Sequence, residues 1–213
     1  MKNVLNYQST EYDCGPVTLT NALRFLFERE EIQPEVVKAI ALYTLDAYSE
    51  EGEYGKSGTS RLAMQFLAGW MTQFGRAKRY PLSAVYLSGC RVKISMNSEV
   101  VLCLQQGGAA VVRCWLGGDE HYILLTGIVQ GGIAAFDPYA VSWEEFLSEH
   151  PRDCGVTWTD QFPYSHNLII CPDVLNAQDR RDYALGERDV REAMLVYNKN
   201  TVLNEENSVE YMI

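Results

Sequence analysis

The sequence predicts an α+β fold, with a helical first part packed against an antiparallel sheet formed by the second. Three observations carry this. As far as Gly75 the apolar residues recur at helical spacing. After Ala109 they gather into short runs of strand character. Gly131-Gly132 then joins two such runs as a hairpin.

The elements follow in order. Pro16 to Arg29 presents Val17, Leu19, Ala22, Leu23, Leu26 and Phe27 at close to a 3.6-residue period, which predicts a helix. A second helix spans Pro34 to Tyr43, with the proline in its first turn. Ser49 to Thr59 is rich in Gly, Ser and Glu and reads as a loop. Ser60 to Phe74 resumes the helical pattern through Leu62, Ala63, Phe66, Leu67 and Trp70, and Gly75 marks a stop. Strands are expected over Ala109–Trp115, His121–Ile128 and Ile133–Phe136, with a short helix over Ser142–Glu149. Val156–Thr159 alternates like a strand, and Asn167–Ile170 closes the sheet. From Val174 to Ile213 the chain is charged and mixed, with helical potential between Gln178 and Tyr197. The expected organisation is a domain over residues 1–173 and a charged extension over 174–213, helical or partly disordered.

Bulk properties exclude several functions. The 213 residues suffice for one core, and the formal net charge of -10 argues against a nucleic-acid partner. The start turns polar too soon for a secretory signal. The longest apolar stretch, Val100 to Leu116, is interrupted by Gln105, Gln106, Gly107, Gly108 and Arg113, so no membrane span and a cytoplasmic location are expected. Of the six cysteines none forms a Cys-x-x-Cys pair, and the three histidines are scattered. Neither disulfides nor a metal are expected.

Cys14 is different from the other cysteines. It lies in Tyr12-Asp13-Cys14-Gly15-Pro16, immediately before the first helix, where the positive end of the macrodipole favours a thiolate. Taken alone, such a cysteine also serves to cap or pack a helix start. Gln8, six residues upstream, carries an amide able to donate to an oxyanion, together with a backbone N–H at the helix start. A base must come from His121, His150 or His166. His150 reads as a solvated loop residue and His166 as a structural one. His121 opens an apolar strand after Gly117-Gly118-Asp119-Glu120, held yet accessible. Antiparallel pairing brings the next strand's end, Phe136-Asp137-Pro138, beside it, so Asp137 is placed to orient the ring, although Asp-Pro is also a common turn. Asp153-Cys154-Gly155 repeats the local tripeptide. A strand follows it instead of a helix, and Ser148 stands where a glutamine is needed.

These residues resemble the bacteriocin-processing peptidases, papain-like cysteine proteases that cut leader peptides after a double glycine. The resemblance runs from about Leu5 to Leu147. It rests on Gln8 with Asp13-Cys14-Gly15, the Gly58–Gly75 segment, His121-Tyr122-Ile123-Leu124-Leu125-Thr126-Gly127, Phe136-Asp137-Pro138-Tyr139 and Ser142-Trp143-Glu144-Glu145-Phe146. It implies a papain-like fold, a Cys14–His121 pair, Asp137 fixing the ring, Gln8 at the oxyanion, a peptide or protein substrate and no cofactor. Family members commonly form the first domain of an exporter. With no membrane span and no P-loop motif, this chain is expected to be a freestanding relative. An acyltransferase of the same fold and a non-catalytic peptide-binding relative are the alternatives.

Overall fold

The computed structural model describes residues 1–140, 142, 144, 146 and 154–201. Helices α1 (Cys14–Leu26), α2 (Pro34–Tyr43) and α3 (Arg61–Lys78) come first. Then follow β1 (Leu82–Ser88), α4 (Glu99–Gln105), β2 (Ala109–Leu116), β3 (Asp119–Val129) and β4 (Gly132–Phe136). The described chain continues through β5 (Val156–Trp158), β6 (Leu168–Ile170), α5 (Pro172–Asn176) and β7 (Glu192–Asn198). Of the helix expected over Ser142–Glu149, only Ser142, Glu144 and Phe146 fall within the described residues.

On β2, β3 and β7 apolar residues occupy successive positions, which requires cover on both faces of a sheet. The seven strands form one antiparallel sheet in the order β1-β7-β2-β3-β4-β6-β5. On one face Ala109, Val111, Tyr122, Leu124, Met194 and Val196 pack with residues of α1, α2 and α3. On the other, Ala110, Val112, Cys114, Ile123, Ala193 and Leu195 pack with residues of α4 and α5. Helices and antiparallel sheet are therefore layered as an α+β arrangement. Among the described residues no helix is long and apolar enough to cross a membrane.

Two helix ends differ from the sequence reading. α1 starts at Cys14 itself, so the cysteine is the first helical residue. α3 runs past Gly75 to Lys78, and Arg79 closes it in the left-handed conformation at φ 54°. Gly75 serves instead as a crossing point, because a Cβ there would collide with the Leu82 carbonyl at the start of β1.

The helix expected between Gln178 and Tyr197 does not form; residues 192–198 are strand β7. Ala193, Met194 and Leu195 are good helix formers, but tertiary context overrides that preference. β7 enters the sheet between β1 and β2 and pairs with both, and its apolar side chains are buried on both faces. Residues on either side of position 173 thus share one sheet and one core.

Glu192, the first residue of β7, is a buried carboxylate that ties this strand down. The hydroxyls of Tyr86 on β1 and Tyr122 on β3 donate to it at 2.5 and 2.6 Å. Arg113 on β2 lies at 3.1 Å and Arg61 on α3 at 3.4 Å. A buried charge is tolerable when its lone pairs are occupied in this way. Truncation after Asp173 removes both the carboxylate and the strand that bridges β1 to β2. The expected outcome is loss of a cooperative thermal transition in circular dichroism, whereas a native-like melt would show the strand to be dispensable.

Candidate active site

The segment before α1 is shaped by Asp13. Its carboxylate turns back to accept from the Ser9 and Thr10 backbone N–H groups, at 3.1 and 2.9 Å, and from the Thr10 hydroxyl at 3.0 Å. Asp13 consequently makes no side-chain cap on α1. The first-turn amides are left uncapped beside Cys14, which is buried. Gly15 is needed here because Thr59, from the loop before α3, occupies the space a Cβ would take.

The hairpin β3–β4 supplies the ring and the carboxylate. Leu124 pairs with Phe136, which sets Asp137 one residue beyond the paired strand and diagonal to His121. The ring Nε2 and Asp137 Oδ1 are 2.7 Å apart, with His121 6% and Asp137 0% exposed. The Cys14 side chain lies near enough to the ring to act on it, and its influence helps to raise the His121 pKa. Since Nε2 is engaged by Asp137, Nδ1 is the ring nitrogen left for another partner.

Gln8 comes to the same place by its backbone. Its N–H donates to the Pro138 carbonyl at 2.9 Å, next to Asp137. Its side-chain Nε2 donates to the Thr10 carbonyl at 2.7 Å, while Oε1 is buried with no partner among the described residues. An amide nitrogen carries two hydrogens, so one fixes the orientation and the other remains to donate elsewhere.

The other candidates have partners of their own. Cys154 directs its sulfur to the Val156 carbonyl at 3.6 Å. His166 stacks on Phe162 at 4.5 Å and shares a 2.8 Å hydrogen bond with Ser165, and burial pushes its pKa down. His150 lies outside the described residues. All six cysteines are free thiols.

No protein-family model matches the chain, and no curated protein matches it. Among solved structures it is similar to the peptidase domain of Streptococcus mutans ComA. That likeness has 16% identity and a TM-score of 0.34, and covers 69% of this chain and 92% of that one.

Two residues around Asp137, Asn167 and Tyr183, carry no sequence signal for this role. Asn167 clamps its peptide from both sides: Oδ1 accepts the Asp137 N–H at 2.8 Å, and Nδ2 donates to the Asp137 carbonyl at 2.8 Å and to Ala140 at 3.0 Å. The Tyr139 N–H donates to Oδ1 at 2.8 Å, and the Tyr183 hydroxyl to Oδ2 at 2.9 Å. Sequence separations of 30 and 46 residues hide the Asn167 and Tyr183 contacts from any local pattern. Among the described residues no group of three or more His, Cys, Asp or Glu side chains is arranged to hold a metal ion.

The electrostatics follow from this geometry. For Asp137 burial is the largest influence and favours the neutral acid, but His121, the Tyr139 amide and the Tyr183 hydroxyl together hold its pKa below the ordinary range. For His121 burial is again the largest single influence and lowers the pKa. The charge and hydrogen bond of Asp137, with the nearby Cys14 side chain, outweigh it and raise the pKa to about 10.

Two outcomes are expected. The stability contributed by the raised histidine is complete below its ordinary value of 6.5 and is lost as pH rises through about 10. The part contributed by Asp137 is present above its ordinary 3.8 and is lost only as pH falls below that. Urea melts across this range should therefore show an alkaline decline that shrinks in Asp137→Asn; an unchanged decline assigns it to other groups. Asn167→Ala leaves the Asp137 peptide and the Ala140 carbonyl unpaired inside the protein and should destabilise by on the order of 3 kcal/mol. A loss within experimental error in the same melts would mean that water replaces the amide.

Proposed function

We propose that this protein is a cysteine peptidase of papain-like fold, in which Cys14 is the nucleophile, His121 the base, Asp137 the orienting carboxylate and Gln8 an oxyanion donor. The observation that supports this reading is the 2.7 Å bond between the His121 ring and the fully buried Asp137 carboxylate, with the Cys14 side chain close enough to act on the same ring.

In this reading the imidazole takes the thiol proton on Nδ1, and the thiolate attacks the carbonyl carbon of a peptide bond. The C=O electron pair moves onto oxygen, where the second hydrogen of the Gln8 amide and a backbone N–H at the start of α1 receive the charge. Collapse of the tetrahedral intermediate expels the amine, which takes the proton from Nδ1 and leaves a thioester on Cys14. Water, losing a proton to His121, attacks the thioester and releases the carboxylic acid, restoring the thiol. Asp137 holds the Nε2 proton and the ring plane throughout. These steps call on no metal or organic cofactor.

The substrate is a peptide or protein, and the resemblance to bacteriocin-processing peptidases directs the search to leader or precursor peptides in a cytoplasmic setting. Cys14→Ala should keep the fold and lower cleavage of a peptide library, read by mass spectrometry, by at least about 10³-fold. Turnover retained in that variant sinks the assignment. Cleavage by the wild type should also give hydrolytic products when amines are added; amide products would move the assignment to acyl transfer.

A further inference from the structure

Tyr183 lies in the segment between α5 and β7, 46 residues in sequence from Asp137. Its side chain is buried at 1% exposure, and its hydroxyl donates to the Asp137 oxygen that His121 does not use. The backbone holding it is strained, since Tyr183 adopts φ +64° although it is not glycine. Such a conformation persists only where its surroundings over-determine it.

The surroundings do so. The Tyr183 N–H donates to the Trp115 carbonyl at 2.7 Å, and the Trp115 N–H to Ala184 at 2.9 Å. The Gly117 N–H donates to Asp182 at 2.8 Å, and the Leu185 N–H to Leu175 at 2.9 Å. Gly186, at φ +74°, lies so close to the Trp115 indole that a Cβ would come within 2.5 Å of Nε1. Arg191 then anchors the far side. Its buried guanidinium donates to the carbonyls of Gly186 at 2.8 Å, Val92 at 3.2 Å and Asn176 at 2.7 Å. Trp115 follows Cys114, the partner of His121 across the strands, near the end of β2. The segment is thus stitched to the same hairpin that carries the histidine.

We infer that Tyr183 is a positioning residue of the Cys14–His121–Asp137 site, fixing the Asp137 carboxylate through its second oxygen and making the chain after residue 173 part of the catalytic apparatus. This inference rests on the reading of Cys14 and His121 as the reacting pair. With Oδ1 occupied by His121 and the Tyr139 amide and Oδ2 by Tyr183, the carboxylate can neither rotate nor take up a proton cheaply. Loss of the phenol leaves a buried oxygen unpaired, so the acid form gains and support for the imidazolium weakens. The titratable groups facing this centre are His121 and Cys14, Cys114 on β2, Tyr183 itself and, alongside it, Asp182.

The test needs no substrate. Iodoacetamide alkylation of each cysteine is followed by mass spectrometry over roughly pH 5–9, with Cys90 as the exposed reference. In the wild type Cys14 should react well ahead of Cys90 near pH 6; failure at this stage counts against the reacting pair and not against Tyr183 alone. In Tyr183→Phe the acid limb for Cys14 should move to higher pH, slowing alkylation near pH 6 by about tenfold, the worth of one hydrogen bond to a charged group. Cys90 should be unaffected. In an Asp137→Asn background the same change should add nothing, because the phenol acts through the carboxylate. A Cys14 profile that superimposes on the wild type overturns the inference, as does an equal slowing in the Asp137→Asn background. If Tyr183→Phe does not fold, 3-fluorotyrosine at position 183 keeps the shape and strengthens the donor. The acid limb should then move to lower pH, and a limb that stays in place overturns the inference.

Discussion

A carboxylate wholly removed from water is costly unless its oxygens are occupied, and Asp137 is such a group at the centre of this protein. Every neighbour of Asp137 can be understood as meeting that cost. His121 and the Tyr139 amide occupy one oxygen, Tyr183 the other, and Asn167 secures the peptide on which the side chain stands. These donors come from β3, the turn after β4, the start of β6 and the segment before β7. The site is therefore assembled by the second half of the chain, and Cys14 is brought to it by the first.

β3 is the element on which both faces of the molecule converge. His121 points toward Asp137 on the face covered by α4 and α5, while the next residue, Tyr122, donates to the buried Glu192 on the face covered by α1–α3. Thr18 of α1 adds a hydrogen bond to the Tyr122 carbonyl at 3.0 Å, holding the helix that begins at Cys14 against the strand that carries His121. Two buried carboxylates, one on each face, thus fix two consecutive residues of one strand. That arrangement leaves the His121 ring little freedom, as the proposed acid–base role requires.

The approach to Cys14 is fixed by a different and mostly local device. Asp13 folds the preceding five residues into a compact turn, Gly15 admits Thr59 against the helix start, and the Thr10 carbonyl holds the Gln8 amide. Local hydrogen bonds between residues 8 and 13 make this region nearly self-organising, whereas the His121–Asp137 half is set by contacts between distant residues.

That contrast explains what the sequence alone could say. Helical periodicity located α1, α2 and α3, because one apolar face against a core leaves a repeating trace in the chain. Alternation and the Gly131-Gly132 turn located the β3–β4 hairpin, and antiparallel pairing was enough to put Asp137 near His121. The local tripeptide around Cys14, with Gln8 at a short fixed spacing, was equally open to reading. β7 was not, because a central strand buried on both faces loses its alternation, and Ala193-Met194-Leu195 then reads as helix. Asn167 and Tyr183 were invisible for a stricter reason. A hydrogen bond across 30 or 46 residues leaves no periodicity and no motif, and only the sheet order that inserts β7 between β1 and β2 carries the Tyr183 segment to the carboxylate. Local chemistry was written in the chain; the means of holding a charge in a dry interior was decided by the tertiary fold, because it depends on donors that only folding brings together.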